Sequence, residues 1–191
     1  MINIFLDTET TGLSNSKNAL WQVAGLIYKD EELLESFDIK CAPLPKDKIN
    51  SYALKMSGMN EQEIRSLQSS GIALKKFKKI LKKYINPYDK SDKAHMYGYN
   101  VSFDSGFIRS WFYKNNDKYY GSWFWTPPID VMVIAGKALK DVRPSMKNFK
   151  LGTVAKTLDV RVSEEELHDA LYDVMITREV YFKSLKLIND A

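Results

Sequence analysis

The sequence predicts an α/β domain in which helices flank a mixed β-sheet, and three observations carry that expectation. A short apolar run stands first, two strand-like stretches follow at close spacing, and beyond Pro45 the hydrophobic period becomes helical. Ile2–Leu6 reads as a buried central strand, bounded by the turn-rich Thr10-Thr11-Gly12. Ala19–Tyr28 and Leu33–Ala42 read as two more strands, joined through the charged turn Lys29–Glu32 into an antiparallel meander of three. Asn60 followed by Glu63 has the form of a helix N-cap with its reciprocal partner. Leu74, Phe77, Leu81 and Tyr84 recur at helical spacing with lysines between them. Ala94–Tyr99 reads as a strand, and a helix is expected from Ser102 or Phe103 toward Tyr113. A short apolar piece at Pro128–Ile129 precedes a helix from Asp130 to Leu139. Leu151, Val154, Ala155 and Leu158 form an i, i+3, i+4, i+7 stripe, and a long helix is expected from Asp169 to Leu187. Strands alternating with helices after a meander add parallel strands to the sheet.

Composition narrows the class of protein. At 191 residues the chain has room for one domain with a sizeable core, taken as 1–191 because no repeat or Gly/Ser linker divides it. One cysteine, Cys41, excludes an internal disulfide and a thiolate zinc cluster. No segment has the roughly 20 apolar residues a membrane-spanning helix needs. Asp7 and Glu9 interrupt the first apolar run too early for a signal peptide, so a cytoplasmic protein without a membrane partner is expected. A net charge of +4 is compatible with a polyanionic partner.

The chemistry is expected in Asp7-Thr8-Glu9-Thr10-Thr11-Gly12-Leu13. Residues i and i+2 of a strand share a face, so a first strand running past Leu6 sets Asp7 and Glu9 side by side. They would then lie at its carboxyl end, where ligands bind in open α/β sheets. Two like charges so close raise one pKa unless a cation separates them, and Mg²⁺ or Mn²⁺ suits oxygen ligands. The alternative is a solvated acidic turn. Asp104, in Gly98-Tyr99-Asn100-Val101-Ser102-Phe103-Asp104, falls in the first turn of an expected helix, whose positive end keeps a carboxylate ionised. Asp173 falls on the last helix, with Asp169 as its N-cap and His168 just outside. Taken singly, His168 reads equally as an exposed loop histidine, and Asp173 as a surface helix residue.

Together the three blocks resemble the DnaQ-like (DEDDh) 3′–5′ exonucleases of the ribonuclease-H-like superfamily. The likeness rests on Asp-x-Glu on the first strand, Asp after a later strand, and His-x-x-x-x-Asp on the last helix. Leu151-Gly152-x-x-Ala155-x-x-Leu158 resembles that family's penultimate helix, and Tyr52–Met59 its segment after the meander. The resemblance implies a ribonuclease-H-like mixed sheet and removal of nucleotides from the 3′ end of a single strand, DNA favoured. It further implies that Asp7 bridges two Mg²⁺ or Mn²⁺ ions, that Glu9 and Asp173 complete the first and Asp104 supports the second, and that neutral His168 acts as general base. It implies that Thr10, Thr11, Gly12 and Leu13 line the terminal-nucleotide pocket, with Leu13 wedged against the last base.

Phe103 and Phe107 flank Asp104 one helical turn apart, and at least one is expected in the core while the other lines the base pocket. The lysines from Lys75 to Lys83 read as a solvated helix face rather than a phosphate guide. Tyr119, Tyr120, Trp123, Phe124 and Trp125 suit base stacking or core packing alike. Asp130 reads as a helix cap, and His95 as structural. Two rival functions remain open: 3′-end trimming of RNA by the same residues, and a non-catalytic nucleic-acid-binding subunit of a DNA polymerase.

Overall fold

The computed structural model describes residues 1–56, 58–163 and 169–190. Five strands form one sheet: β1 (Ile2–Thr10), β2 (Leu20–Lys29), β3 (Glu32–Lys40), β4 (His95–Gly98) and β5 (Ile129–Asp130). Their order is β3-β2-β1-β4-β5. The first three pair antiparallel as the expected meander, whereas β4 joins β1 and β5 joins β4 in parallel. The helices are α1 (Ser51–Met56), α2 (Glu61–Ser66), α3 (Ser70–Leu81), α4 (Val101–Lys114), α5 (Val131–Ala138), α6 (Leu151–Thr157) and α7 (Ala170–Asn189).

The period of two in β1 divides the interior. Ile4 and Leu6 point into an aromatic core with Phe77, Phe107, Trp111 and Phe124, covered by α3 and α4. Phe5 points the other way and meets Tyr97 at 4.6 Å and Tyr181 at 5.7 Å between ring centres, beneath α5, α6 and α7. A smaller cluster of Trp21, Leu54 and Ile64 seats α1 and α2. Asn60 and Glu63 make the reciprocal cap read from their spacing, with bonds of 2.9 and 2.8 Å. Asp130 caps α5 through Met132 N–H and also accepts from Asn100 N–H, tying the start of α4 to β5.

Several boundaries differ from expectation for physical reasons. β1 continues to Thr10 because Asp7, Thr8 and Glu9 pair across to Ala24, Val23 and Gln22. Tyr84 lies beyond α3, where its hydroxyl reaches Glu35 at 2.9 Å. Ala94 stands outside β4, bonded instead to the aromatic segment through Trp123 and Trp125. That segment is divided: Tyr120, Trp123 and Phe124 are core, and Tyr119 is exposed. α4 opens at Val101, three residues after Gly98, whose bare Cα admits both Val101 and the Leu6 carbonyl; a Cβ there would stand 2.9 and 3.1 Å from them. Among the described residues no helix is long and apolar enough to cross a membrane.

Candidate active site

The site lies at the carboxyl end of β1 and β4, where α4 and α7 approach from opposite faces of the sheet. Asp7 and Glu9 share one face of β1, and both are half-buried. Thr8, between them, points to the other face. Its N–H and hydroxyl both donate to Asp104 Oδ1, at 3.0 and 2.7 Å. Asp104 is thereby fixed in the first turn of α4 by the strand that carries the first two carboxylates. Between Glu9 and Thr10 the pairing with β2 slips by one residue, leaving Trp21 as the extra. Such a bulge re-aims the strand end, and bulges concentrate beside functional sites.

Asp173 occupies the first turn of α7, whose N-cap Asp169 accepts from Leu171 and Tyr172 N–H at 3.1 Å each. His168, the expected general base, lies outside the described residues.

Electrostatics show that the four carboxylates converge. Loss of hydration, then the charges of Asp104, Glu9 and Asp173, holds Asp7 well above the usual carboxylate range. Burial, then Asp173, Asp104 and Asp169, pushes Glu9 up to about 7. Asp104 is also pushed up to about 7, mainly by burial, with the Thr8 hydrogen bonds pulling the other way. Burial of the charges is the largest cause and their mutual repulsion adds to it, and a hard divalent cation with oxygen donors relieves both. Among the described residues no three acidic, histidine or cysteine side chains stand as a closed coordination shell. The donor chemistry fits a divalent ion.

The loop after β1 is braced rather than loose. Thr11 is buried: its N–H bonds Ala19, its hydroxyl donates to the Lys48 carbonyl, and its own carbonyl accepts from Asn50 N–H. Its polar groups are committed to the fold, so Thr11 shapes the loop from beneath. Thr10 donates its hydroxyl to the Gly12 carbonyl at 2.8 Å. Gly12 has φ +154°, and a Cβ there would meet the Asn18 side chain at 2.6 Å. That side chain accepts from Ser14 N–H and donates to the Lys48 carbonyl. Lys114, at the end of α4, bonds both Asn18 and Asp47. Leu13 at the tip is 88% exposed, a large apolar side chain with no core to enter. Phe107 is core, and half-buried Phe103 packs against it beside Asp104, with ring centres 4.8 Å apart and planes tilted by 46°.

The structure therefore brings together Asp7, Glu9, Asp104 and Asp173, with Thr10–Leu13 and Phe103 around them. Sequence reasoning missed Thr8 and Asn18 as parts of this site, while Asp169 is the N-cap its position predicted. Thr8 carried a legible signal, since alternation turns it away from Asp7 and Glu9 toward the helix bearing Asp104. Asn18 carried none, because its partners are backbone groups, and one of them, the Lys48 carbonyl, is remote in sequence.

A family model described as an exonuclease, RNase_T, matches residues 4–181. Over 189 residues the chain is 26% identical to the PolC-type DNA polymerase III of Mycoplasmopsis pulmonis, covering 98% of this chain and 12% of that protein. The Bacillus cereus counterpart is 27% identical over 183 residues, which are 96% of this chain and 11% of that one. The chain thus spans about an eighth or less of the length of these relatives. Among solved structures, the zinc-bound complex of E. coli exonuclease I with single-stranded DNA superposes with a TM-score of 0.75 at 22% identity, covering 99% of this chain and 42% of that one. Its complex with a dT13 oligonucleotide gives 0.71 at 23% identity, with 96% and 40% covered. At these identities the structural likeness speaks to the fold, a ribonuclease-H-like mixed sheet.

Proposed function

This chain belongs to the RNase_T exonuclease family and is DnaQ-like; from that premise we propose that it removes nucleotides from the 3′ end of single-stranded DNA, using two divalent ions, Mg²⁺ or Mn²⁺. The observation that carries this reading is the convergence of Asp7, Glu9, Asp104 and Asp173, where burial and the neighbouring carboxylates together raise the pKa of Asp7 and Glu9.

In this reading Asp7, Glu9, Asp104 and Asp173 hold the ions, and Thr8 keeps Asp104 in place. When bound, divalent cations lower the pKa of an attacking water and neutralise charge on the phosphoryl oxygens. His168 takes the proton from that water as a neutral imidazole. Thr10, Gly12 and Leu13 receive the terminal nucleotide, with exposed Leu13 against its base and Phe103 beside the reacting end. Thr11 and Phe107 support these groups from within. Phosphodiester hydrolysis proceeds here without a covalent intermediate, because no nucleophilic side chain is needed.

We take residues 1–191 as one exonuclease domain and place it in the cytoplasm, consistent with a single, buried, unbridged Cys41. Partnership with a DNA polymerase is proposed from the PolC relatives, in which the matching segment is a small part of a longer chain.

The test is incubation of the protein with 5′-labelled single-stranded DNA, RNA and duplex oligonucleotides, each with Mg²⁺, Mn²⁺ or EDTA. The expected result is a ladder shortening from the 3′ side, fastest on single-stranded DNA and abolished by EDTA. Faster RNA shortening would move the reading to RNA trimming. Intact substrates under every condition would sink catalysis.

A further inference from the structure

A polyanion approaching four clustered carboxylates is repelled, so its remaining phosphates need cations close by. Two segments are rich in them. Residues 75–83 carry six lysines, and residues 137–150 carry Lys137, Lys140, Arg143, Lys147 and Lys150 against the single carboxylate of Asp141. Position separates the two.

The lysines of α3 lie away from the site. Ser70, at its start, accepts from Trp111 and Asn115 at the far end of α4. Asn115 is eleven residues beyond Asp104, about 16 Å along the helix axis at 1.5 Å per residue. From there α3 leads toward Tyr84 and Glu35, and two cations on it and just beyond it are already paired, Lys78 with Asp117 and Lys83 with Glu35.

The second segment is bonded to the carboxyl edge of the sheet. Tyr99, directly after β4, donates its hydroxyl to the Phe149 carbonyl at 2.7 Å. Asn148 Oδ1 accepts from Lys150 N–H at 3.1 Å and from the Thr153 hydroxyl at 2.7 Å, which fixes the turn into α6. The Arg143 guanidinium lies over the Phe149 ring, 4.2 Å from its centre. Arg143, Lys147 and Lys150 are exposed, and none pairs with a carboxylate among the described residues. Resting on the exonuclease reading above, we propose that Arg143, Lys147 and Lys150 hold the phosphate backbone of the single-stranded DNA upstream of the nucleotide being removed.

The test compares the unaltered chain with Arg143→Ala/Lys147→Ala/Lys150→Ala, with the double Lys147→Ala/Lys150→Ala, and with Lys75→Ala/Lys76→Ala/Lys79→Ala. Binding of a 5′-labelled single-stranded oligothymidylate is measured in EDTA across a salt series. Hydrolysis of a dinucleotide, which has no phosphate upstream of the scissile one, is measured with Mn²⁺. The slope of log Kd on log salt should fall by about 2 in the triple patch variant and about 1.4 in the double, at about 0.7 per contact. Dinucleotide hydrolysis should hold in both, and the α3 variant should keep the original slope. An unchanged slope in both patch variants, or a fall in the α3 variant alone, overturns the proposal. If the unaltered chain shortens neither the dinucleotide nor the labelled oligothymidylate with Mn²⁺, the exonuclease reading fails, while the salt slopes still decide the patch.

Discussion

The two halves of β1 are one continuous strand with opposite physical characters. Ile4, Phe5 and Leu6 are buried and apolar, each packed into one of the two large cores. Asp7 and Glu9, on the same strand, are carboxylates held away from their ordinary ionisation by burial and by one another. The first half lowers the free energy of the fold, and the second half raises it. Proteins tolerate such strain where the surrounding structure over-determines it, and it gathers at functional sites. The lesson is that chemistry at the strand end depends on the packing behind it.

Substitutions on the two halves should therefore move activity and stability in opposite senses. Asp7→Asn should lower exonuclease turnover by at least about 10³-fold, since ligand-held cations contribute several kcal/mol to the transition state. The same variant should melt no lower than the unaltered protein in EDTA; retained turnover would break the comparison at its centre. Phe5→Ala should cost about 3–5 kcal/mol in denaturant unfolding, as large-to-small core changes do. An unchanged midpoint there would mean the first half is not supporting the second. His168→Ala should slow turnover by about 10²–10⁴-fold with little change in KM, as loss of a general base does. Thr8→Val keeps the strand and its backbone bond to Asp104 but deletes the hydroxyl donor, and should cost about 10–100-fold in turnover.

The smallest effect is on pH. Glu9 is raised from 4.5, and Asp104 from 3.8, each to about 7 in the folded protein. A carboxyl raised on folding binds more protons folded than unfolded between those limits, so the stability slope with pH is negative there. In EDTA the melting temperature contributed by this pair should fall as pH rises from about 4 toward 7, then level. Mn²⁺ should restore more at pH 8 than at pH 5, where protons already relieve the repulsion. A melting profile in EDTA that rises through this window would remove repulsion as the source of strain.

Much of the frame was legible because it is written in local patterns. The caps at Asn60, Asp130 and Asp169 follow from side chains that bond backbone two or three residues away. The meander and the last helix follow from periodicity. Harder to read were features made by distant partners. The aromatic segment after Tyr119 has one composition yet two fates, because only the sheet and α4 decide which rings find neighbours. Thr11 reads as a pocket residue until Ala19, Lys48 and Asn50 are seen to occupy its polar groups. The basic turn before α6 gained meaning only when Tyr99 was found bonded to it.

The sequence by itself determined the α/β class, the order of the elements and the identity of the acidic residues, since periodicity and capping act over one or two turns of chain. Tertiary structure alone decided that Asp7, Glu9, Asp104 and Asp173 meet and that Thr8 anchors Asp104. Those outcomes depend on strand register and on helices packed from opposite faces, and such contacts join residues separated by nearly the full length of the chain.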